Sequence, residues 1–198
     1  MAVDNEDLAA LIGSRICHDL ISPIGAINNG LELLGMSGEV SGPEMELISD
    51  SVTNANARIR FFRVAFGAAG DQQMGRAEIV SVLDDISKGG RLSFQWAPLE
   101  GTSRSDVRMA FLAALCLESA LPYGGSVAIL CADGQWTVIG EGRKVNMDEA
   151  LWARLTNKDA DVAITPAQVQ FALLPQAAEQ SGRTIKVDAM LEKISIHF

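Results

Sequence analysis

The sequence has 198 residues, 48% of them hydrophobic and 21% charged, with a mean hydropathy of +0.17, the composition of a folded chain long enough for one large or two small units. Its 25 acidic and 16 basic residues give a formal charge of -9, which disfavours nucleic acid as the main ligand, because phosphate backbones are bound through clustered Lys and Arg. The longest apolar run, Met109 to Leu117, stops at Glu118, far short of the roughly 20 residues of a bilayer span, and the acidic N-terminus lacks the basic start of a signal peptide, so a cytoplasmic protein is expected.

In chain order, Leu8, Ile12, Ile16, Leu20, Ile24, Ile27, Leu31 and Leu34 recur every three or four positions and predict a helix from about residue 5 to 35. Gly35 and Gly38 are its expected stop, and Ser41-Gly42-Pro43 opens a second helix with Pro at the first helical position. There Ile48, Val52, Ala55, Ile59, Phe62 and Phe66 alternate four and three apart, the spacing of a bundle seam. Two long helices with a short connection form an antiparallel hairpin, and two helices alone make a thin core. A homodimer in which two hairpins build a four-helix bundle is therefore expected. Helical patterning fades after Phe66 into small and polar residues, which predicts a linker over 65–73 and divides the chain into 1–72 and 73–198.

Beyond the linker, residues 77–86 read as helix, 91–96 as strand and 105–121 as a long helix. Residues 126–131 and 136–139 form a predicted hairpin turned by Asp133-Gly134. Helices are expected over 147–155 and 166–180, and strands over 184–187 and 193–197. The whole is α+β, a helical hairpin followed by a largely antiparallel sheet with helices on one face. Cys17, Cys116 and Cys131 are odd in number and far apart, which predicts buried or half-buried free thiols rather than disulfides or a zinc site. Trp96, Trp136 and Trp152 are expected in the core, and His197 at the end of the sheet.

His18 stands out. At about 100° per residue it points away from the apolar arc of its helix, and its helical neighbours Ser14, Ser22 and Gly25 are small, which leaves the ring in an open notch. Pro23 interrupts the helical hydrogen bonding five residues on. A break in helix regularity beside an exposed histidine points to function. Leu11 and Ile21 lie on the His18 side of the helix and are expected to be exposed apolar contacts.

The string Ile16-Cys17-His18-Asp19-Leu20-Ile21-Ser22-Pro23 resembles the H-box of two-component sensor kinases, in which a phosphoacceptor histidine is followed by an acidic residue, Leu, two variable positions and Pro. Together with Asn28-Asn29-Gly30-Leu31-Glu32-Leu33-Leu34, Arg60 to Gly67, and Leu121-Pro122-Tyr123-Gly124-Gly125, it is similar to the ChpT-type family of alphaproteobacterial histidine phosphotransferases over nearly the whole chain. The resemblance implies a dimer with one exposed phosphohistidine per subunit. It also implies a C-terminal sandwich like a degenerate histidine-kinase ATP-binding domain, and partners that are the receiver domain of a hybrid kinase and downstream response regulators.

In that setting His18 would be the nucleophile, Asp19 would orient its imidazole, Arg15 would meet the phosphoryl oxygens, Ser22 would donate a hydrogen bond, and Leu11 and Ile21 would dock the receiver. The kinase pattern needs an Asn on the long helix for magnesium and glycine-rich nucleotide loops. Here Phe111 to Ala120 contains no Asn, and only Gly140-Glu141-Gly142 follows the strand. No ATP binding and no metal or cofactor of its own is expected, magnesium being supplied by the receiver. An ATP-dependent sensor-kinase core and a non-catalytic dimeric adaptor are the alternatives.

Overall fold

The computed structural model describes residues 5–37, 42–68, 70, 72–157, 160 and 162–198. The apolar repeat of the N-terminal segment folds as one helix, α1 (Asn5–Ser37), which passes the expected stop at Gly35 and continues unbroken through Pro23. The expected stop at Gly38 and the Ser41 of the expected second-helix opening lie outside the described residues. Helix α2 (Pro43–Ala65) starts at the predicted proline and packs along α1. Its close approach depends on the buried Gly30, where a Cβ would stand 2.5 Å from Ile48 Cγ1.

The C-terminal end of α2 is built into the core of the remaining chain. After the short strand β1 (Gln73–Met74) come helix α3 (Arg76–Lys88), strands β2 (Leu92–Trp96) and β3 (Thr102–Ser103), and the long helix α4 (Arg104–Ala120). Phe61 stacks on Phe111 of α4 with ring centroids 4.5 Å apart and planes 10° from parallel. A helix end leaves its last carbonyls without intrahelical donors. Arg104 of α4 donates to Arg63 O at 3.0 Å and Arg108 donates to Ala65 O at 3.3 Å, so α4 supplies the missing donors. Arg60 also pairs with Asp85 of α3. The hairpin and the remainder therefore share one continuous apolar cluster, with Leu8, Phe61, Phe62, Val64 and Ala65 packed among residues of 74–198.

Strands β4 (Gly125–Ala132) and β5 (Gln135–Glu141) form the predicted hairpin. Its turn residues Asp133 and Gly134 both have positive φ, 49° and 76°, which matches the twist of the strands they join. Helix α5 (Glu149–Ala153), a 3₁₀ turn (Pro166–Gln168), helix α6 (Gln170–Gln180) and strands β6 (Lys186–Ala189) and β7 (Lys193–His197) complete the chain. The five-stranded sheet has the order β2-β4-β5-β7-β6, parallel between β2 and β4 and antiparallel elsewhere. Helix α4 lies between the sheet on one side and α2 and α6 on the other, and its side chains from Met109 to Leu117 are all buried. That accounts for an apolar run with no polar face.

The sequence does not signal the two-residue ladder of β1 with β3, which closes the expected linker onto the start of α4. The three tryptophans are buried as expected. All three cysteines are free. Cys116 is buried, which pushes its thiol well above the usual range, and Cys131 is half-buried. Cys17 departs from expectation: it is exposed, because its position on α1 faces solvent. Among the described residues no helix is long and apolar enough to cross a membrane.

Removing the ring that joins α2 to α4 leaves a cavity in close-packed surroundings. We expect Phe61→Ala to lower unfolding stability by about 3–5 kcal/mol in a urea titration. A loss below about 1 kcal/mol would show that the stack is not a principal tie between hairpin and core.

Candidate functional site

The site lies at the middle of α1, where that helix passes both α2 and the second half of the chain. His18 has 79% of its side chain exposed, and its Nδ1 is 3.1 Å from Asp19 Oδ1. A carboxylate only accepts hydrogen bonds, so the proton in this contact belongs to Nδ1 and the lone pair of the neutral ring to Nε2. Ser14, Cys17, Ile21 and Ser22 around it are exposed. A Cβ on Gly25 would meet nothing within 4 Å. The expected open notch is present.

Asp19 is the opposite of its neighbour. Its side chain is only 9% exposed, with Oδ2 3.1 Å from Arg15 Nε and 3.4 Å from Arg58 Nη1. Arg15 sits one turn before Asp19, so the helix itself brings the pair together. Its Nη1 donates to Ala167 O at 2.8 Å, reaching the 3₁₀ turn 152 residues away. Arg15 was expected near the phosphoryl oxygens, but its guanidinium is committed to Asp19 and that carbonyl. Ser22 stands exposed one turn beyond His18, at the edge of a groove lined also by Asp19, Asn54 and Arg58.

Of the two apolar candidates, Ile21 is 68% exposed. Leu11, expected to be exposed too, is half-buried against the core, because the first turns of α1 run beside the 3₁₀ turn. The sequence geometry had accounted for the bundle side of α1 and not for this second covering surface. Sequence reading also missed Arg58 and Asn54 of α2. Arg58 Nε donates to Asn54 Oδ1 at 3.1 Å, and Asn54 Nδ2 donates to Gly89 O at 3.3 Å, just past the end of α3. No local motif marks them, since only the register of α2 against α1 sets Arg58 opposite Asp19.

At the far end of the sheet His197 is occupied by Thr137, Ser195 and Asp188. Among the described residues no cluster of His, Cys, Asp and Glu could hold a metal ion. Among the described residues His18 is thus an exposed imidazole whose Nδ1 is paired with the carboxylate next to it on the same helix.

Comparison with known proteins gives this geometry a class. The sequence model described as the histidine phosphotransferase C-terminal domain matches residues 76–192. The protein phosphotransferase ChpT of Brucella abortus (strain 2308) is 34% identical over 198 residues, which covers 95% of this chain and 93% of that one. A bacterial phosphotransferase solved at 1.7 Å matches with a TM-score of 0.82 and 32% identity, over 100% of this chain and 98% of that one. Fold and sequence together define a histidine phosphotransferase. The chain belongs to the ChpT-type family of these proteins.

Proposed function

We propose that His18 is the phosphoacceptor of a two-component phosphorelay, taking a phosphoryl group from the aspartate of one receiver domain and passing it to that of another. The observation that carries this reading is the exposed ring with Nδ1 held by Asp19. Nε2 attacks the phosphorus of the aspartyl phosphate, the N–P bond forms, and the P–O bond to the receiver breaks so that its carboxylate leaves. The ring becomes positive as it gains the phosphoryl group, and the Asp19 carboxylate beside Nδ1 balances that charge. The reverse transfer runs through the same steps. Ser22 and the open surface around it are available to the phosphoryl oxygens, and Ile21 offers an apolar anchor for the receiver.

The donor in this reading is a receiver and not ATP. Helix α4 offers only buried apolar side chains from Met109 to Leu117, and no Asn stands between Phe111 and Ala120. Magnesium belongs to the acidic pocket of the receiver. The reading also includes a homodimer. Ile24, Leu31, Val52 and Ile59 of the predicted stripe and seam are 49%, 55%, 41% and 48% exposed in the single chain, too much apolar surface in one place for two solvated helices. A second hairpin would cover it and complete a four-helix bundle. Such a protein works in the cytoplasm, where receivers are.

Four outcomes are expected. His18→Gln keeps size and polarity but removes the nucleophile, so it should take no label from a phosphorylated receiver while keeping a wild-type circular dichroism melt. Wild type given labelled ATP and magnesium alone should remain unlabelled, and label on the variant would show another residue to be the acceptor. Ile59→Asp should convert a dimer to a monomer in sedimentation at micromolar concentration, and a monomeric wild type would refute the bundle. Ile21→Asp should weaken receiver binding by roughly tenfold, about 1.4 kcal/mol, without lowering the melting temperature. Unchanged affinity would move the docking face elsewhere.

A further inference from the structure

Asp19 does not hold its position unaided. Two arms run from its Oδ2 into the second half of the chain. One passes through Arg15 to the carbonyl of Ala167, with links of 3.1 and 2.8 Å. The other passes through Arg58 and Asn54 to the carbonyl of Gly89, with links of 3.4, 3.1 and 3.3 Å. Single exposed ion pairs contribute little. A half-buried carboxylate shared by two guanidiniums, each anchored at its far end, is a connected network whose members fix one another.

We infer that Arg58 and Asn54 are positioning residues through which the segment after α3 sets the tautomer of His18. The inference rests on the reading of His18 as phosphoacceptor and extends it to a task for the second half of the chain. With Arg58 in place, Asp19 Oδ2 is engaged and Oδ1 faces Nδ1, so the ring proton stays on Nδ1 and Nε2 stays nucleophilic. Without it Oδ2 keeps only the ion pair to Arg15 Nε, which is not aligned as a hydrogen bond, so the carboxylate turns more easily and the exposed ring samples both tautomers. A neutral ring protonated on Nε2 has no lone pair there to attack phosphorus.

Gly89 provides a remote handle on this arm. Its φ of -97° is open to any residue, yet a Cβ there would lie 2.4 Å from Asn54 Nδ2. Gly89→Ala therefore pushes Asn54 off its carbonyl from a position 71 residues away in sequence from His18, with no change to either arginine.

The test uses the full-length protein and phosphoramidate, a small phosphoryl donor that needs no docking surface. The readouts are the rate of label uptake at His18 and long-range ¹⁵N–¹H spectra of its ring nitrogens. Wild type should show a single tautomer with the proton on Nδ1. Arg58→Gln and Gly89→Ala should each show mixed tautomers and slower uptake, by roughly tenfold for Arg58→Gln, as expected for losing one hydrogen bond to a charged group. Arg58→Lys, which restores a cation beside Asp19, should recover part of both. A loss of fold would also mix the tautomers, so each variant is first required to keep the wild-type circular dichroism melt, and Gly89→Ala carries the test alone if Arg58→Gln melts. Wild-type spectra and rates in both variants would overturn the inference. Label that persists in a His18→Gln control would instead overturn the underlying reading of His18.

Discussion

The anchoring of α2 under α4 is the constraint on which the rest of this structure depends. Phe61 stacked on Phe111, with Arg104 and Arg108 donating to the last α2 carbonyls, fixes one end of the hairpin in the shared core. Because α2 is rigidly held there, the position of everything one or two turns earlier is also fixed. Arg58 precedes Phe61 by three residues, so the helical repeat places its guanidinium at the edge of the same face, opposite Asp19. The opposite end of the hairpin lies away from this anchor, and there the apolar side chains of Leu31 and Met36 stay uncovered within the single chain.

That arrangement separates two demands on the site which a single residue could not meet. A phosphoacceptor, the role proposed for His18, has to be reachable by another macromolecule, and an exposed imidazole has no intrinsic reason to hold one tautomer or one orientation. Here His18 is open while the next residue, Asp19, is withdrawn from water and surrounded by cations. Preorganisation resides in the withdrawn residue and accessibility in the exposed one. The adjacency of an exposed and a half-buried residue follows from the 100° step of a helix lying in a crevice between α2 and the 3₁₀ turn.

The second half of the chain serves this geometry as a scaffold. Its sheet and α4 bury nearly all of their apolar surface against one another and against α6. The hydrogen bonds that tie the two arms to it end on backbone carbonyls, those of Ala167 and Gly89, whose positions are set by the local backbone rather than by side-chain rotamers. A backbone anchor is stiff, and stiffness is what an orienting carboxylate needs.

The sequence by itself determined the main helices and strands and the exposure of His18. Apolar spacing marked both hairpin helices, positive-φ turn residues marked the β4–β5 hairpin, and the helical phase of His18 marked its exposure, because each of these is a local property of period, turn chemistry or direction. Only the tertiary structure decided what surrounds them. Leu11 is half-buried and Arg15 points to Asp19 and Ala167 because a second surface, distant in sequence, covers one side of α1. Arg58 and Asn54 join the site through the register of two helices, and Gly89 through the packing of α3 on α2. Register and packing are sums over many contacts between residues far apart in the chain, so no short stretch of sequence carries them.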